Sequence, residues 1–226
     1  PAMRASGRLR RFRDHPTPLD DNPATTGLRA WAIIRGMMRV IAGEAKGTLI
    51  KYPKGAPTRP ATELVRGAIF SMLASTDADW SRVLDLFSGS GSLGIEALSR
   101  GAGSVDFVDQ DRRCCAIIRD NLERARLADR ARVHCQDVRR ALSSLEKEAG
   151  AYGIVLMDPP YADRAIGEVI TLLAESSLIN ETTIVVITHS ARFKLEPGYG
   201  QLTLRRELRH GDSVIAVYRK ERPGAG

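Results

Sequence analysis

The sequence predicts an α/β protein built on a mostly parallel sheet with helices on both faces. Three observations predict it. From Arg82 onward, short β-prone runs alternate with helical runs, which is the pattern of a parallel sheet covered on both sides. The first strand of that series leads directly into a glycine-rich turn and a helix. The series closes on two strands with no helix between them, so the last strand runs antiparallel. Seven strands are expected in this sheet. A small β-hairpin and a helix precede it.

The elements follow in order. Residues 1–36 begin with Arg4, Arg8, Arg10, Arg11 and Arg13 and continue into a Pro/Asp/Thr stretch with no period. They read as a flexible basic extension, with Met37 and Met38 as natural starts downstream. Residues 37–62 read as a hairpin and loop. Arg39-Val40-Ile41-Ala42-Gly43 and Gly47-Thr48-Leu49-Ile50-Lys51-Tyr52 are its β-prone runs, joined through Glu44-Ala45-Lys46. Residues 63–221 form the main domain. Thr62 can cap a helix carrying Leu64, Val65, Ala68, Ile69, Met72 and Leu73 at helical spacing. Strands are expected at 83–87, 104–109, 131–135, 152–157, 183–188, 201–208 and 213–219. Helices are expected at 91–100, 112–127, 138–149 and 165–176.

Composition narrows the function classes. The chain has 226 residues, 43% of them hydrophobic, enough for a sizeable core. Its net charge of +7 suits a polyanionic partner such as nucleic acid. Arg39, Lys46, Arg59 and Arg66 stand in or near the hairpin and are candidates for contacts with phosphate. The cysteines, Cys114, Cys115 and Cys135, are odd in number and lack C-x-x-C spacing. That argues for a reducing compartment and against a disulfide framework or zinc site. No apolar run approaches the ~20 residues of a membrane span, and nothing reads as a secretory signal. A cytoplasmic, monomeric protein with no membrane partner is expected.

The glycine turn is Ser88-Gly89-Ser90-Gly91-Ser92-Leu93-Gly94. Gly89-x-Gly91-x-x-Gly94 between a strand and a helix has the dinucleotide fingerprint spacing, and Asp109 ends the next strand where a carboxylate accepts ribose hydroxyls. A ribose-bearing cofactor is implied, and NAD and S-adenosylmethionine share this layout. Three features favour S-adenosylmethionine. Asp85 lies inside the strand, suited to an amino acid's ammonium group and ill-placed beside a pyrophosphate. Asp137 follows the third strand, where it can accept a hydrogen bond from an adenine amino group. Asp158-Pro159-Pro160-Tyr161 ends the fourth strand, and strand ends line the ligand crevice of such sheets. Phe87, Ser88, Ser90, Gln110 and Val138 flank these positions and complete the expected cofactor set. The two prolines make a stiff turn that can hold a carboxylate and an aromatic ring against a planar exocyclic amine.

The run from Asp85 to Gly101, together with Asp158-Pro159-Pro160-Tyr161, resembles the RsmD family of bacterial 16S ribosomal RNA guanine-N2 methyltransferases. Arg39-Val40-Ile41-Ala42-Gly43 with Gly47 is similar to the family's opening hairpin, and Arg59-Pro60-Ala61-Thr62 with Val65, Arg66 and Phe70 to its helix start. Ala61 and Gly67 depart from the pattern, where threonine and glutamate are common. The resemblance covers about residues 38–220. It implies a Rossmann-like class I methyltransferase fold. It also implies S-adenosylmethionine as cofactor, S-adenosylhomocysteine as product, no metal, and 16S ribosomal RNA or the assembling small subunit as partner. Asp158, Pro159, Pro160 and Tyr161 would then be the catalytic set, orienting and stacking on the target base. An adenine-N6 DNA methyltransferase, whose amine the same turn serves, is the alternative. The short links between elements leave little room for the recognition insert such enzymes carry.

Overall fold

The computed structural model describes residues 37–53, 62–148, 150–160 and 166–221. These belong to one compact unit spanning 36–226. The expected extension 1–36, the loop residues 54–61 and the positions 161–165 lie outside the described residues.

The chain opens with β1 (Met37–Arg39) and β2 (Leu49–Lys51), paired antiparallel, followed by α1 (Glu63–Ala74). Thr62 caps α1, accepting from the Val65 N–H at 3.3 Å. The alternating series then runs β3 (Arg82–Leu86), α2 (Ser92–Ser99), β4 (Ser104–Asp109), α3 (Arg112–Ala125), β5 (Ala131–Cys135), α4 (Val138–Leu145), β6 (Ile154–Met157), α5 (Ile166–Glu175) and β7 (Ile184–Ser190). It ends with β8 (Gly198–Tyr199), β9 (Leu202–His210) and β10 (Ser213–Lys220).

The sheet order is β5-β4-β3-β6-β7-β10-β9-β8. The first five strands in that order are parallel, and β10 enters antiparallel between β7 and β9. The seven expected strands are present. An eighth, the two-residue β8, pairs with the start of β9. It is too short to carry a period-2 signal, so nothing in the sequence marks it.

The two faces of the sheet divide by alternation. Leu84, Leu86, Val108, Val155, Met157, Val185 and Ile187 face α4 and α5. Val83, Phe107, Ile154, Leu156, Ile184 and Val186 face the other way, into a core shared with α1, α2, α3 and the hairpin residues Val40 and Ile50. Chain order reverses between the neighbours β3 and β6, since β4 and β5 lie on one side and β7 on the other. The carboxyl ends of β3 and β6 therefore flank the crevice where such sheets bind ligands.

Candidate active site

Two strand ends build the site. β3 ends at Leu86, and Phe87 turns the chain in a left-handed conformation with φ 59°. That is uncommon for a bulky side chain and costs of order 1 kcal/mol or more. Ser88 locks the turn. Its N–H donates to the Val108 carbonyl at 3.0 Å, and its hydroxyl donates to the Asp85 carbonyl at 2.6 Å. Gly91 then caps α2 at φ 76°, a conformation that favours glycine. Gly94 is required for a different reason. A Cβ there would stand 2.3 Å from the Phe107 ring and 3.0 Å from Asp85 Oδ2. Beside Gly89 a Cβ would meet nothing within 4 Å among the described residues.

The acids are spaced around this turn. Asp85 is fully buried, and its Oδ2 accepts from the Gly94 N–H at 2.9 Å. Burial pushes its carboxyl up to about 8; the Gly94 N–H opposes this, and Asp158 and Asp109 reinforce it. A buried acid held this way suits a cationic partner, because a positive group restores the charged form. Asp109 accepts from the Gly89 N–H and the Asp111 N–H, each at 2.8 Å. Burial raises its pKa as well. Both of its oxygens keep further lone pairs for hydroxyl donors. Gln110 beside it is exposed, and Val138 is buried at the start of α4.

Asp158 follows β6 and is partly exposed, with Pro159 buried and Pro160 exposed. Period-2 alternation carries Leu156 and then Asp158 to the face that holds Asp85, whose registered partner is Leu156. The like-charge influence of Asp158 on Asp85 follows from that shared face. Asp137 has a local duty that the sequence reading did not assign. It caps α4, accepting from the N–H groups of Arg139 at 3.0 Å and Arg140 at 3.4 Å.

The hairpin corrects one expectation and adds residues that sequence reasoning missed. Arg39 and Lys46 are exposed, as phosphate contacts require. Arg66 is not: it is 1% exposed beneath the hairpin, and its Nη2 donates to the Arg39 carbonyl at 2.9 Å. Its Nε and Nη1 find no hydrogen-bond partner among the described residues. Burial lowers its pKa, against the pull of Glu96 and Glu63. Arg66 is therefore a structural anchor and not an RNA contact. Arg59 and Tyr161 lie outside the described residues.

The strands of the hairpin are shorter than its β-prone runs suggest, because α2 and α3 take the backbone groups between them. Buried Glu96 accepts from the N–H groups of Ile41 at 2.8 Å and Ala42 at 3.1 Å. The Ser99 hydroxyl accepts from the Ala45 N–H, and the Ser99 carbonyl accepts from the Glu44 N–H. Asn121, fully buried on α3, brackets Lys51 through both backbone groups at 2.7 and 2.8 Å and donates to the Ser90 carbonyl at 2.9 Å. One side chain thus ties the hairpin to the glycine turn. The available signal was an amide on the apolar stripe formed by Cys115, Ile118, Leu122 and Ala125.

Comparison with known proteins decides the family. The model described as conserved hypothetical protein 95, that of RsmD proteins, matches residues 38–219. The chain belongs to the RsmD family. It is 30% identical over 189 residues to the ribosomal RNA small subunit methyltransferase D of Escherichia coli K12, covering 84% of this chain and 93% of that protein. It is 37% identical over 183 residues to YlbH of Bacillus subtilis, covering 81% of this chain and 99% of YlbH. The solved structure of yhhF from Escherichia coli superposes with a TM-score of 0.71 at 30% identity, covering 82% of this chain and 99% of that one. The fold of this RsmD family member is the Rossmann-like methyltransferase fold. No helix among the described residues is long and apolar enough to cross a membrane.

Proposed function

We propose that this chain methylates the exocyclic N2 of a guanine in the 16S ribosomal RNA of the small subunit, with S-adenosylmethionine as donor. The observation that carries the reading is the convergence of Asp85 and Asp158 on one face of the sheet at the β3/β6 switch point. The name of the Escherichia coli relative, which refers to small-subunit ribosomal RNA, supports the choice of substrate.

The residues divide into a donor side and an acceptor side. Asp85 receives the donor's ammonium group, which restores its charge. Asp109 accepts the ribose hydroxyls, and Asp137 and Val138 flank the adenine. Phe87 to Gly94 bring backbone close to the ligand. S-adenosylmethionine supplies, when bound, a methyl carbon made electrophilic by its sulfonium. On the acceptor side the amine of a base is a poor nucleophile, because its lone pair is shared with the ring. Asp158 and the Pro159 carbonyl each accept one of its hydrogens and turn the lone pair toward the methyl group, while Tyr161 stacks on the base. With the donor bound, the nitrogen would form its bond to the methyl carbon as the carbon–sulfur bond breaks, giving S-adenosylhomocysteine, and one N–H proton would pass to solvent water. In-line positioning of this kind lowers a barrier by on the order of 7–11 kcal/mol. The base must be unpaired or flipped to reach the turn. Arg39 and Lys46 hold the RNA backbone.

Labelled-methyl transfer to 30S particles and to free 16S RNA, followed by nucleoside analysis, tests the reading. N2-methylguanosine is the expected product. N6-methyladenosine would transfer the site to the adenine reading, and no transfer to either RNA would overturn the substrate class.

A further inference from the structure

The end of β7 carries a residue that the mechanism above does not use. β6 and β7 are parallel, and Met157↔Ile187 is the last registered pair. One step further, the same register sets Asp158 beside Thr188. Thr188 is 1% exposed, and its hydroxyl donates to Asp158 Oδ1. It follows four apolar residues, Ile184-Val185-Val186-Ile187, all buried. Valine would fill the same volume without a polar atom. A buried hydroxyl carries a desolvation cost unless it is hydrogen-bonded, and here the bond goes to the carboxylate of the proline turn.

The geometry points to Thr188 as the residue that positions Asp158 for the target amine. This rests on the amine-orienting role given to Asp158 above. A carboxylate presents about four lone-pair sites, and Thr188 occupies one of them. That fixes the plane of the carboxylate, so an incoming N–H meets an oxygen already aimed. Thr188 touches neither base nor donor in this assignment and acts through Asp158 alone.

Thr188→Val keeps the shape and removes the donor. Turnover on 30S particles is expected to fall about tenfold to a hundredfold, the range carried by one hydrogen bond to a charged group. S-adenosylhomocysteine affinity by calorimetry, RNA KM and melting temperature should stay near wild type. Thr188→Ser restores the hydroxyl and should restore most of kcat. A Thr188→Val enzyme with wild-type kcat overturns the assignment. So does a Thr188→Ser enzyme as slow as Thr188→Val, or a loss of cofactor affinity and stability that parallels the loss of kcat. Should Thr188→Val fail to fold, Thr188→Cys, with a weak donor of similar size, takes its place under the same criteria. Asp158→Asn is the separate control. Full turnover in Asp158→Asn would sink the role of Asp158 itself, whereas full turnover in Thr188→Val alone sinks only the positioning role.

Discussion

Asp85 shows how a single buried carboxyl links stability to ligand binding. Its pKa in the folded protein is pushed to about 8, while an unfolded chain's aspartate titrates near about 4. Between these values the folded state keeps a proton that the unfolded state has lost. Stability therefore falls as pH rises across that window, and below it both states are protonated and the effect vanishes. Asp85→Asn removes the linkage. In thermal melts without cofactor, the variant should gain melting temperature over wild type at pH 8 and lose that advantage near pH 4. Its affinity for S-adenosylhomocysteine should drop at pH 8, because the ammonium loses its counter-charge. An equal melting-temperature difference at both pH values would show that Asp85 does not titrate in this window.

At the scale of elements, α2 does two jobs. Its first turn presents Gly94 to Asp85, and one helical step later Glu96 and Ser99 clasp the hairpin. The clasp is tight at Gly43, where a Cβ would stand 1.7 Å from the Ser99 carbonyl oxygen. Glu96 is 0% exposed and also pairs with Arg100 Nε at 2.7 Å. Glu96→Ala leaves two N–H groups and a guanidinium without that partner. We expect a loss of about 3 kcal/mol in denaturant unfolding. Amide exchange should quicken at Ile41 and Ala42 and stay slow in β6. Retained protection at both hairpin amides would show that the clasp does not hold the hairpin.

At the scale of the whole molecule, the net charge of +7 suits the polyanionic partner proposed above. Phosphate contacts release counterions, so each one steepens the fall of affinity with salt. Arg39 and Lys46 are exposed on the hairpin, and Arg66 is enclosed beneath it. Arg39→Ala with Lys46→Ala should weaken binding to 16S RNA and reduce the log–log salt slope by about 2, or about 1 per lost contact. A slope equal to wild type would show that neither side chain meets phosphate.

What the sequence determined by itself is whatever depends on local pattern. The alternation of strand and helix is local, and so are the glycine turn and the acids at Asp85, Asp109 and Asp158. Each lies within or just after an apolar strand whose period is legible, which is why the crevice could be assembled on paper. Only the tertiary structure decided which polar side chains are used up inside. Arg66 reads as a basic residue one turn into a helix, but the hairpin folds over it and buries it. Glu96 and Asn121 look like ordinary helix residues, and their partners are backbone groups of other segments. Thr188 and Asp158 are thirty positions apart and meet only because parallel pairing puts their strands in one register. Hydrogen bonds between distant segments leave no periodic trace in a chain, since they depend on register and packing and not on spacing.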